Sequence, residues 1–181
     1  SGAWTNLTLV GPDQVWIPAA YLKPRTTNGC AALATTETTT NKVCIETCDF
    51  DATSIEYAQF TLRLPKRYTT STFTAIFHWK HASTATNFGV LWAIQAGAFA
   101  NDDAMDTAFG TAQTVADTGG TTNDLYITSA TSAVTIANVT AEETVYFQVY
   151  RDPTNGSDTM AIDAGLIGIE LSFTTAAPTD T

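Results

Sequence analysis

His78 and His81 are the chain's two histidines and stand three residues apart, a spacing found in zinc sites. Residues three apart on a strand point to opposite faces, and Phe73–Lys80 reads as a strand, so the pair does not chelate jointly. Cys44 and Cys48 have the spacing of one helix face, yet Val43-Cys44-Ile45 reads as strand and no further Cys or His lies at ligand spacing. Cys30 could approach either thiol in space. Asp49 with Asp51, and Asp102, Asp103 and Asp106, are carboxylate groupings of the kind calcium uses, but neither has the EF-hand spacing with its closing Glu. Glu46, Glu56, Glu142, Glu143 and Glu170 could be combined in many acid–base pairs, and nothing in the sequence selects one. A nucleophile elbow, a phosphate loop and a locally supported Ser-His-Asp set are all missing. The expectation is therefore no catalytic residue, no cofactor and no metal: a protein that is not an enzyme. The odd, sparse cysteines read as reduced thiols, with one disulfide plus a free thiol as the alternative.

The elements that would position any site are strands. Ile167, Ile169, Leu171 and Phe173 alternate with Gly168, Glu170 and Ser172, the pattern of a half-buried strand. Ala58, Phe60, Leu62 and Leu64 alternate with Gln59, Thr61 and Arg63. Phe73, Ala75, Phe77 and Trp79 do so with Thr74, Ile76, His78 and Lys80, and Val145, Phe147 and Val149 with Tyr146, Gln148 and Tyr150. Phe88–Ile94 is apolar on both faces, as in a strand covered by a second sheet or a neighbouring subunit. Asn28-Gly29, Gly119-Gly120 and Asp152–Gly156 supply turn residues suited to positive or fixed φ. Asn101–Phe109 is the one helical candidate, with Asn101 as cap, Asp102 and Asp103 at its positive end and Gly110 as stop, and is expected to form one short helix or turn. This spacing predicts an all-β domain, a β-sandwich or jelly roll, with at most one short helix.

Residues 1–42 differ in character, because Pro12, Pro18 and Pro24 interrupt any long strand and Thr35–Asn41 is Thr-rich. They read as an N-terminal proline-containing arm and loop, followed by the sandwich over 43–175 and a flexible tail over 176–181, all within one domain. The arm carries Trp4, Val15, Trp16, Ile17, Tyr21 and Leu22, an apolar load that needs cover either from its own sandwich or from a partner.

The chain has 181 residues, 44% of them hydrophobic, enough for a core of its own. Net charge is −10, and the eight Lys and Arg are scattered, which argues against nucleic-acid binding. No apolar run is long enough to span a membrane, and the opening Ser1-Gly2-Ala3-Trp4 has no charged-then-apolar pattern, so no anchor is expected. Three Asn-x-Ser/Thr sequons, at Asn6, Asn138 and Asn155, are expected by chance where Thr is this abundant.

Blocks along most of the chain resemble a recurring group of small virion structural proteins of tailed bacteriophages. They are Val15-Trp16-Ile17-Pro18-Ala19, Pro24–Gly29, Thr38–Lys42, Phe50–Thr53, Tyr57–Phe60, Ala98–Ala104, Phe109–Gln113 and Arg151-Asp152-Pro153 through Asp158–Asp163. The resemblance implies a β-sandwich carried on the virion, assembled in the bacterial cytoplasm. Its role would be that of a head decoration or cement protein or part of a fibre or spike, commonly trimeric. The expected partners are copies of itself, as a homotrimer, and the major capsid protein or another virion protein.

Two functions follow as expectations. In the first, repeated subunit contacts hold the protein on the particle, with Trp4, Trp16, Tyr21 and Arg25 as candidate contacts, since aromatic and Arg side chains dominate interface energetics. In the second, the same sandwich is a receptor- or glycan-binding head of a fibre or spike, presenting polar loops near Asn87, Asp117–Asp124 and Asp152–Asp158. A glycan site needs exposed aromatics beside Asp or Asn. Trp79 and Trp92 lie in strand patterns that read as buried, which favours assembly.

Overall fold

The structure, a computed structural model, describes residues 10–69, 72–82 and 88–176. Eleven strands form two sheets: β1 Val10–Pro18, β2 Lys23–Pro24, β3 Ala34–Glu37, β4 Cys44–Phe50, β5 Glu56–Arg63, β6 Thr74–His81, β7 Phe88–Phe99, β8 Gln113–Gly119, β9 Tyr126–Ile127, β10 Thr144–Arg151 and β11 Ala164–Ala176. The first sheet runs β3-β4-β11-β6-β9, with β1 also on β11; the second runs β2-β5-β10-β7-β8. The eight strands from β4 onward interleave as 4-11-6-9 and 5-10-7-8, the double Greek key of a jelly roll.

The period-2 patterns decide which side chains fill the gap between the sheets. Phe73, Ala75, Phe77 and Trp79 are fully buried, as are Val145, Phe147 and Val149 of β10, while Phe88–Ile94 is covered on both faces apart from a half-buried Gly89. Ring packing then ties the layers: Phe77 stacks on Trp92 at 5.5 Å, while Phe73 meets Phe147 and Phe50 meets Trp92 edge-on, each at 5.3 Å. Trp79 Nε1 donates to Asp117 Oδ2 at 2.8 Å, joining β6 of one sheet to β8 of the other. Arg151, with no exposed surface, closes the end of the barrel-like core. It pairs bidentately with Asp158 and donates to the carbonyls of Ile162 at 2.7 Å and Phe50 at 3.4 Å.

Several sequence expectations are altered here. The stretch interrupted by prolines is a nine-residue strand over Val10–Pro18, paired with β11 along its length. Pro12 is tolerated because β1 is an edge strand, with one side free of ladder bonds. Residues 10–42 thus contribute β1, β2 and β3 to the two sheets, and β11 extends to Ala176. Of the two forms expected for Asn101–Phe109, the turn is the one present: Asp102 sits at φ 67°, and Asp103 Oδ2 takes the Ala100 N–H three residues before it at 2.7 Å. Among the described residues the helical turn that forms is the 3-10 turn Ala19–Tyr21, which carries the chain from the first sheet to the second. Among the described residues the left-handed positions belong to Asn28, Lys42, Asp102, Asn123, Asn138 and Glu142, and to no glycine. Gly29 is needed for close approach instead, since a Cβ there would lie 2.1 Å from the Arg25 carbonyl oxygen.

Strand β11 does not hold one phase. Between Leu166 and Gly168 its register shifts, at the point where its neighbour changes from β4 to β1. Ile169, Leu171 and Phe173 point into the core as the alternation requires, but Ile167 is turned by the bulge onto the outer face.

Candidate functional site

The outward side chains of β5 and β10 make the first candidate surface. Antiparallel register sets Tyr57 opposite Tyr150, Gln59 opposite Gln148 and Thr61 opposite Tyr146. The Tyr57 and Tyr150 rings lie 5.3 Å apart, and the Arg25 guanidinium sits 4.3 Å above the Tyr57 ring. Gln148 Oε1 accepts from both Arg25 at 3.3 Å and Gln59 at 3.0 Å, so Arg25 is held by two contacts at once. Tyr146 meets Phe99 edge-on at 5.5 Å. Tyr21, 67% exposed, borders a shallow hollow here with Lys23, Gln59, Thr61 and Tyr146. Burial and the neighbouring Tyr57 and Asp152 raise the Tyr150 hydroxyl above its ordinary pKa, keeping it a neutral donor. The outward residues of β5 and β10 include no carboxylate, in a chain with 18 Asp and Glu.

A second surface lies on the outer face of the first sheet, over the β11 bulge. An open groove of about 430 Å³ is floored by Ile167 and walled by Trp16, with Glu46, Lys80, Asn123 and Asp124 on its rim. The Trp16 indole is seated where β11 offers Gly168, and it packs edge-on against His78 at 4.8 Å while remaining 46% exposed. Burial lowers the pKa of His78, a shift that Glu170 partly opposes. Asn123, at φ 61°, is fixed by its N–H to the His81 carbonyl at 2.9 Å, and its Oδ1 accepts from Lys80 Nζ at 3.4 Å.

Of the candidate contacts, Tyr21 and Arg25 fall together on the second sheet's face, Trp16 is on the opposite sheet, and Trp4 lies outside the described residues, as does Asn87. His78 points outward from β6 and His81 inward, as strand geometry requires. Among the described residues no three His, Cys, Asp or Glu side chains converge as a metal site would need. Cys30 and Cys48 are buried neighbours and Cys44 is exposed; all three are free thiols. The Cys48 thiol donates to the Ala19 carbonyl at 3.5 Å, and its hydrogen bond with Cys30, together with burial, drives the Cys30 pKa far up.

The groove residues Glu46, Lys80, Asn123 and Ile167 escaped the sequence reading as a set, because four separate segments supply them. A usable signal was present in Gly165 and Gly168, two glycines inside an otherwise β-branched and aliphatic strand, which mark a bulge.

No family model and no curated protein matches the chain. Among solved structures, the CBM35 from Cellvibrio japonicus Abf62 aligns with a TM-score of 0.48 at 12% identity, over 88% of this chain and 92% of that one. CBM28, a carbohydrate-binding module specific for non-crystalline cellulose, aligns at 0.44 and 11% identity, over 87% of each chain. Dimeric latent PorU from Porphyromonas gingivalis aligns at 0.44 and 9% identity, over 99% of this chain and 14% of that one. At such identities and scores the likeness extends to layered β-sheets and to no site.

Proposed function

We propose that this domain is a non-enzymatic structural protein of a tailed-phage virion, a decoration or cement protein that associates with copies of itself as a trimer and docks on the major capsid protein or another virion protein. The observation that carries the reading is the second sheet's outer face. Tyr57, Tyr146, Tyr150 and Tyr21 lie there with Arg25 and the Gln59–Gln148 pair, and no outward residue of β5 or β10 is a carboxylate. Tyr and Arg are the residues that interfaces concentrate, and Asp and Glu those they deplete. Charge points the same way. Lys23, Arg25 and Arg63 give this face a positive balance in a molecule of net charge −10, so it complements the acidic remainder of another copy or of an acidic particle surface. Many copies on one particle turn weak single contacts into tight binding. The resemblance of the sequence blocks to virion proteins supplies the setting. Proteomic mass spectrometry of purified particles tests it: the chain is expected among the virion proteins in many copies per particle, and its absence from intact particles overturns the reading.

A further inference from the structure

We infer that the groove over the β11 bulge is a binding site for a neutral saccharide, on the sheet opposite the assembly face and independent of it. The Trp16 indole is a fixed platform. A Cβ on Gly168 would lie 2.4 Å from its Cζ2, so only glycine lets the ring lie against β11, and the His78 ring closes its edge at 4.8 Å. An aromatic surface held this way yet 46% exposed suits a ligand with a flat C–H face.

The rim chooses among ligand classes. Asn123 offers an amide, Lys80 a donor, and Glu46 and Asp124 acceptors, so donors and acceptors are mixed within one small groove, as hydroxyl groups that both give and accept require. Two carboxylates against one ammonium, on a chain of net charge −10, disfavour an anionic ligand. The volume, about 430 Å³, falls within the range of small-ligand sites. Asn123 is pre-set at its rim position by a left-handed backbone and its hydrogen bonds to His81 and Lys80, which lowers the ordering cost of binding.

The test applies the whole chain to a printed array of neutral and acidic oligosaccharides, then titrates the best-bound soluble oligosaccharide while following the Trp16 indole N–H and Asn123 amide signals by NMR. Expected are binding to neutral saccharides, shifts at both residues, a loss of at least about tenfold in affinity for Trp16→Ala and for Asn123→Ala, and substantial retention in Trp16→Tyr, which keeps a ring. Tyr21→Ala, on the other sheet, serves as the control and binds like the parent. The site is refuted by no array signal above background from folded protein, by a preference for acidic saccharides, or by binding that Trp16→Ala and Asn123→Ala leave unchanged. Failure here leaves the mass of the assembled protein in solution unaffected, so the two readings fail separately.

Discussion

The indole of Trp16 on β1 reaches across Gly168 of β11 to meet the imidazole of His78 on β6, ring centroids 4.8 Å apart and planes at 78°. Three strands are thereby tied on the outside of the first sheet, where the alternation of β6 would otherwise leave His78 in water. One glycine sets the arrangement. Gly168→Ala would place a methyl 2.4 Å from the Trp16 ring and 2.8 Å from the Ile17 carbonyl oxygen. It is expected to cost about 1–3 kcal/mol, the range for overpacking, in urea unfolding, with a changed Trp emission spectrum in the folded state. Unchanged stability and emission would mean the ring does not lie there.

Two ion pairs separate buried from exposed electrostatics. Arg151 and Asp158 are both desolvated, so Asp158→Asn strands a guanidinium in the core and is expected to destabilise by about 3–5 kcal/mol. Lys42 and Glu37, 3.3 Å apart and both more than half exposed, are expected to contribute under about 1 kcal/mol when Lys42→Ala removes the pair. Denaturant midpoints of the two variants compare them directly.

Acid sensitivity has two sources in different windows. Asp51 Oδ1 accepts from the Thr53 hydroxyl at 2.6 Å and N–H at 2.7 Å and from the Ser54 N–H at 2.8 Å, which hold its pKa at about 2. A carboxyl depressed below its unfolded value of about 3.9 stabilises fully above that pH and loses the contribution as pH falls toward 2. His78, lowered by burial, takes up its proton more readily when unfolded, so folding weakens as pH drops below about 6.5. Unfolding midpoints from pH 8 to 2 are expected to flatten for Asp51→Asn between about pH 4 and 2, and for His78→Gln below about 6.5.

The thiols sort by exposure. Cys44 is exposed on β4, while Cys30 and Cys48 are buried. Intact mass after brief iodoacetamide treatment is expected to show one adduct on the native protein, at Cys44, and three after denaturation. Rapid native labelling of Cys30 or Cys48 would contradict the packing around Ala19.

How much of this was legible in the sequence follows from what each feature depends on. Ala75, Phe77 and Trp79 declared their inward face because a strand's period is fixed by local geometry. Pro12 misled because a proline's cost depends on whether its strand is an edge, which only the pairing of β1 with β11 decides. Asp102 and Asp103 suggested a helix start, yet short polar side chains cap turns as readily as helices, and no apolar stripe follows to pull a helix onto the core. Tyr21, Arg25 and Trp16 were picked out by residue type as candidate contacts. The turn at Ala19–Tyr21, which sends Trp16 to one sheet and Tyr21 and Arg25 to the other, could not be read from their spacing.

The central claim, association through the second sheet's face, is tested most directly by the mass of the purified protein in solution, from light scattering coupled to size exclusion. Parent protein is compared with Arg25→Glu and Thr61→Glu, which put a carboxylate on a face that has none on β5 and β10 and leave the core untouched. The account predicts three chains per particle for the parent and single chains for both variants, at unchanged melting temperature. A parent that stays monomeric at high concentration, or a trimer that both variants leave intact, would contradict it.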